Sequence, residues 1–160
     1  MDTTKKTIIL FSGDFDRVMA AFIIATGAAA MGDEVTIFCT FWGLNILRKT
    51  EKVPSEAKKT TLQSMFGRMM PKGTKKLGLS KMNFAGAGSP MMRKATKDAG
   101  GMSLEELFDS AREMGVKFVA CTLSMEILGF TENELIDDVE YEGVAAYLEK
   151  ADEANVNLFI

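Results

Sequence analysis

Three features of the sequence predict one α/β domain with a mostly parallel, doubly wound sheet. Apolar, β-branched runs of five to seven residues recur along the chain, each has a helical pattern beside it, and glycine or a capping residue marks the change from one to the other. The first run, Lys6 to Phe11, reads KTIILF, and the turn-rich Ser12-Gly13-Asp14 leads from it to Asp16, the expected N-cap of a helix over Arg17 to Met31. That helix is apolar nearly all round, which predicts burial on more than one side, and Gly32 supplies its stop. Glu34 to Thr40 reads EVTIFCT, so strand, helix and strand form a βαβ unit, the hallmark of a parallel sheet with a right-handed crossover. Further on, Ser103 and Glu106 make a capping box, and Leu104, Leu107, Phe108, Ala111 and Met114 recur at helical spacing until Gly115. Val116 to Thr122, VKFVACT, reads as a third buried strand. Thr131 and Glu134 open a short helix, Val144 to Ala154 forms a longer one with Ala145, Leu148 and Ala151 inward, and Val156 to Ile160 is an apolar closing strand. Four strands, each beside a helix, make the doubly wound sheet.

Residues 1–160 read as a single domain, since a chain of 160 residues buries roughly two-thirds of the surface its unfolded form exposes. The stretch from Thr50 to Gly101 is the least regular: it holds one helix pattern, Thr61 to Met70, scattered glycine and lysine, and many of the 12 methionines. Met65, Met69, Met70, Met82, Met91, Met92 and Met102 suit either an adaptable contact surface or ordinary core filling. Its lysines and arginines suit either a solvated face or an anion site. A net charge of −3 leaves no broad basic surface for phosphate backbones, which argues against a nucleic-acid ligand. The longest apolar run, Val18 to Met31, falls short of the roughly 20 residues a membrane span requires. Asp14, Asp16 and Arg17 interrupt any secretory signal, so a cytoplasmic protein with reduced thiols is expected.

The chain contains no histidine, which removes Ser-His-Asp and Cys-His activation and histidine metal sites, and two cysteines cannot make a four-cysteine zinc site. No metal is expected. Neither GxGxxG nor GK[ST] follows the first strand, so no cofactor is expected either. Ligands of open parallel sheets bind beyond the carboxyl ends of the strands, and three such ends carry unusual residues: Ser12, Gly13 and Asp14; Cys39 with Trp42; and Cys121 with Thr122, Ser124 and Met125. Cys121 ends a strand as SMEIL restarts a helix, where unpaired backbone N–H groups stabilise a thiolate and give a nucleophile without histidine. A buried thiol acting as a small hydrophobe is the other reading of this position. Cys39 has a similar address, but an aromatic cluster follows it with no evident helix cap.

The segments FCTFWGLNIL (Phe38 to Leu47), KMNFAGAGSPMMRK (Lys81 to Lys94) and KFVACTLSMEILGF (Lys117 to Phe130) resemble the DsrE/DsrF-like proteins, in their single-chain, peroxiredoxin-like-labelled branch. The resemblance runs from the first strand to the closing VNLFI. It implies a flavodoxin-like three-layer sandwich, a homo-oligomer of three or six chains, and a cysteine that carries sulfur as a persulfide between donor and acceptor proteins or small sulfane-sulfur compounds. The sulfur-carrying position of the family falls on Cys121. Leu123 and Glu126 stand where the branch commonly has Met and Asp, and Cys39 where it has an aromatic residue. A sulfur carrier or sulfurtransferase is the leading expectation. The alternatives are a thiol peroxidase or disulfide reductase with Cys39 as resolving thiol, and a non-catalytic assembly module gripping a partner through the methionine-rich segment.

Overall fold

The structure is a computed structural model and describes residues 3–160. Among the described residues, five strands form one all-parallel sheet: β1 (Lys5–Leu10), β2 (Glu34–Cys39), β3 (Lys117–Cys121), β4 (Val139–Glu142) and β5 (Val156–Phe159), in the order β4-β3-β2-β1-β5. The chain steps from β1 to β4 towards one edge and then returns to place β5 on the other side of β1. The β1–β5 junction is therefore where the winding reverses, and Phe11 and Ser12 both donate their N–H to the Ile160 carbonyl there, at 2.8 and 3.2 Å.

Helices α1 (Phe15–Ala30) and α4 (Leu104–Glu113) pack together over one face of the sheet. Phe22, Phe108 and Phe118 meet between them with ring centroids 5.4 to 5.9 Å apart, and Val35, Ile37 and Cys39 of β2 point into the same layer. Each such side chain contributes roughly 1.5–3 kcal/mol of burial, so this layer is the main source of stability. The opposite face is thinner: Phe38, Val119 and Cys121 pack under Tyr147 of α6 (Val144–Asp152), whose hydroxyl lies 3.1 Å from Thr7 Oγ1.

The fifth strand is a correction to the sequence reading. Val139-Glu-Tyr-Glu142 pairs with β3 at the sheet edge, where two glutamates are tolerated because one side of the strand faces water. Three further expectations change. Asp14, not Asp16, occupies the N-cap position of α1; Asp16 instead accepts hydrogen bonds from the backbone N–H (2.9 Å) and hydroxyl (2.5 Å) of Ser80. The outer residues Ile23 and Ile24 of α1 are exposed, since only the stripe Phe15, Val18, Ala21, Phe22, Ala25 and Ala28 faces the core. In α6, Ala145 and Leu148 face outward and Tyr147 inward, the stripe being shifted so that the tyrosine hydroxyl reaches Thr7.

The middle of the chain folds as α2 (Thr61–Met69), held by a Thr60–Gln63 capping box, and α3 (Gly88–Asp98). It is anchored by Arg48, which is 3% exposed. The guanidinium donates to the carbonyls of Gly67 (2.8 Å), Met70 (3.2 Å) and Pro71 (3.2 Å) and stacks on Phe130 at 4.4 Å. Of the seven methionines singled out in sequence, only Met70 is buried; the others lie exposed or partly so at the surface of this segment.

Candidate thiol site

The carboxyl ends of β1, β2, β3 and β4 lie side by side, because parallel strands place every outgoing turn on one edge. Cys121 is the last residue of β3 and the N-cap of α5 (Thr122–Leu128), and its side chain makes no capping hydrogen bond. It is 6% exposed and packs with Phe38, Val119 and Tyr147. The turn is fixed from beneath by Ser124, 1% exposed, whose hydroxyl shares a 2.7 Å hydrogen bond with that of Thr40 at the end of β2.

Cys39 is different in kind. It has no exposed surface and lies in the core under α1 and α4, where burial pushes its thiol well above the ordinary cysteine range. A 3-10 helix, Phe41–Leu47, follows within two residues, and Thr40 at its N-cap position makes no side-chain cap. Cys39 pairs in register with Ala120, which places it one strand away from Cys121, but the two thiols point to opposite faces of the sheet. Thiols whose Cβ vectors diverge cannot join without backbone movement.

The sequence-derived pocket residues divide into three places. Ser12, Gly13, Asp14 and Trp42 line one cleft of about 430 Å³ beyond β1. Thr122 and Met125 line another of about 360 Å³ on the far side of α5, with Phe130 and Tyr141. Ser124 and Cys39 are interior, and Cys121 lies at the sheet edge between the two clefts without lining either.

Two residues beside Cys121 were not legible in the sequence. Glu142 of β4 is the register partner of Cys121, which puts both side chains on the α6 face. One carboxylate oxygen of Glu142 accepts from Lys150 Nζ at 2.6 Å, and the other is buried without a partner among the described residues. Lys150 also bonds Glu140 at 3.1 Å, and these carboxylates hold its ammonium above the ordinary lysine range against the effect of burial, which acts the other way. Missing β4 concealed both. The alternation of Val139 and Tyr141 with Glu140 and Glu142 was the available signal, but it spans only four residues.

The model of the DsrE/DsrF/DrsH-like family matches residues 2–159. The chain is 57% identical over 158 residues to the uncharacterized protein YrkE of Bacillus subtilis (strain 168), covering 99% of this chain and 98% of that one. It is 36% identical over 164 residues to the sulfur carrier protein DsrE2 of Allochromatium vinosum, covering both chains completely. Among solved structures, the ychN protein from E. coli superposes with a TM-score of 0.56 at 11% identity over 99% of this chain and all of that one. MTH1491 from Methanobacterium thermoautotrophicum gives 0.55 at 13% identity, over 97% and 98% of the two chains. These two likenesses concern the fold alone.

Proposed function

The chain belongs to the DsrE/DsrF/DrsH-like family, and from that premise we propose that it is a sulfur carrier or sulfurtransferase of a cytoplasmic sulfur relay that holds a persulfide on Cys121. The observation that carries the choice of residue is the contrast between the two thiols: Cys121 ends a strand at the carboxyl edge of the sheet and opens a helix, whereas Cys39 is sealed in the core. The full-length likeness to a protein named as a sulfur carrier supports the choice of chemistry.

In the proposed reaction the Cys121 thiolate attacks the terminal sulfur of a donor persulfide, R–S–SH. The donor S–S bond breaks, R–S⁻ leaves with the electron pair, and Cys121–S–SH forms. An acceptor thiolate then attacks the outer sulfur and returns Cys121 as a thiolate. The chemistry is thiol exchange and requires no net oxidant. Cys121 stands at the amino end of α5, where the first N–H groups of a helix have no intrahelical acceptor and favour an attacking thiolate, and Ser124 holds that end through Thr40. Donor and acceptor are proteins or small sulfane-sulfur compounds. A peroxidase cycle resolved by Cys39 is disfavoured by the opposite facing of the thiols.

The test is intact mass after treatment with polysulfide. Wild-type protein gains one or more sulfur masses, lost again on reduction, and Cys121→Ser gains none. Sulfur uptake by a folded Cys121→Ser protein would remove the proposal.

A further inference from the structure

The basic residues of the middle segment converge on one place. Arg68, Lys72, Lys75 and Lys76 line a single cleft of about 630 Å³, within the ordinary range of small-molecule sites, and no carboxylate lines it. Arg68, Lys75 and Lys76 are exposed and Lys72 is half-buried, so all four can reach a molecule entering from solvent. None of them makes an ion pair among the described residues. The chain as a whole has a net charge of −3, so this gathering of one sign is local. Like charges in one concavity raise one another's energy and focus a positive potential, which a bound anion relieves.

The backbone brings the cations together and removes what would oppose an anion. Gly73 turns the chain at a φ of 70°, a conformation that favours glycine, and the lysines on either side of that turn line the same cleft. Arg68 comes from the last turn of α2, where the negative end of the helix dipole and free carbonyls repel an anion. Arg48 takes up those carbonyls: its buried guanidinium bonds Gly67, Met70 and Pro71, and Met70 and Pro71 themselves line the cleft. A fixed positive charge therefore lies behind the lining. Met69, 76% exposed, and Pro71 add an apolar side on which a thioether can adapt to a flat ring or a hydrocarbon.

Four donors of one sign, no carboxylate and an apolar border are the complement of a small molecule with several negative charges at one end. We propose that this cleft binds an organic diphosphate. Its phosphate oxygens accept from Arg68, Lys72, Lys75 and Lys76, and its nonpolar body lies against Met69 and Pro71. A single carboxylate or phosphate leaves most of the cations without a partner, and a zwitterion finds no carboxylate for its ammonium. A nucleic-acid strand requires a basic groove that tracks several nucleotides, more than one cleft on an acidic chain supplies. The inference goes beyond the sulfur relay and does not depend on Cys121.

Calorimetric titration of the full-length protein tests it, with ADP and geranyl diphosphate as two bodies on the same diphosphate, and AMP, geranyl phosphate and inorganic pyrophosphate as controls. The tighter diphosphate shows whether the body is a flat ring or a hydrocarbon. It binds about tenfold or more tightly than its own monophosphate, the worth of the charge-assisted hydrogen bonds added by the second phosphate, and more tightly than pyrophosphate. Lys75→Gln with Lys76→Gln weakens it by about tenfold or more at an unchanged melting temperature, both residues being exposed. Lys58→Gln with Lys117→Gln, the same charge change at exposed positions outside the cleft, leaves binding as it was. Met69→Ser weakens the diphosphate and leaves pyrophosphate unchanged. No heat with either diphosphate at millimolar concentration, a monophosphate that binds as tightly, or equal losses in the two double variants would overturn the proposal. Tighter binding of polyglutamate than of either diphosphate would assign the cleft to an acidic protein and overturn it equally.

Discussion

Position 121 is a helix N-cap filled by a residue that does not cap: serine there supplies an oxygen that cysteine does not. Cys121→Ser is therefore expected to leave unfolding free energy within about 1 kcal/mol of wild type in urea titrations, a helix cap being typically worth ~1 kcal/mol. Cys39→Ser is expected to cost about 1–3 kcal/mol, because it buries a hydroxyl among Val35, Ile37 and Ala120 with no designated partner. Equal losses for the two variants would contradict their assigned environments. With burial holding the Cys39 thiol in its protonated form, iodoacetamide should modify it only after unfolding. This difference was half-legible in the sequence. EVTIFCT and VKFVACT are both continuous apolar runs, as buried parallel strands must be, and such runs carry no polar alternation to say which face a given cysteine takes. Only the register of β2 against β3 decides it.

Among the elements, the middle segment depends on one side chain from outside it. Arg48 satisfies three carbonyls around the end of α2, so Arg48→Met leaves them unpaired and is expected to cost about 3 kcal/mol or more. The same change should open residues 60–72 to proteolysis before the sheet unfolds; loss of stability without local cleavage would show that Arg48 does not anchor this segment. Sequence reasoning found β1, β2, β3, β5, α1, α2, α4, α5 and α6, because most of them carry an apolar or periodic run with a cap or glycine at its end. It missed the elements in which tertiary contacts replace those signals. β4 is four residues in which Val139 and Tyr141 alternate with glutamates, the 3-10 helix after Cys39 holds five buried residues without a capping side chain, and α3 begins at Gly88 and Ser89 with no cap. The Asp16 cap failed for a related reason: Ser80, which is 64 residues away, captures the carboxylate.

At the scale of the whole molecule, acid stability follows from partly buried, hydrogen-bonded carboxylates. Burial alone would raise Asp16, Glu105 and Glu134, but hydrogen bonds from Ser80, from Arg93 and Thr74, and from Lys59 and Thr131 hold all three below the ordinary range. Groups so depressed contribute stability that is present above their unfolded pKa and lost as pH falls through the folded values. With no histidine in the chain, the denaturation midpoint should stay nearly level between about pH 5 and 8 and decline below about pH 4. A carboxylate-independent fall between pH 5 and 8 would contradict this. Exposed Ile23 and Ile24 on α1, with Leu123, Val144, Leu148 and Phe159 on the thinner side of the sheet, support our proposal that the protein is a homo-oligomer of three or six chains. Light scattering at micromolar concentration should give that mass, and a monomer throughout would exclude it. The central claim is tested most directly in the unaltered protein, because trypsin places the two thiols on separate peptides, one from Val18 to Arg48 and the other from Phe118 to Lys150. After brief exposure to polysulfide, capping of free and persulfide thiols and digestion, the account predicts added sulfur on the Phe118–Lys150 peptide, sensitive to reduction, and none on Val18–Arg48. Sulfur confined to the Val18–Arg48 peptide, or absent from both, would contradict it.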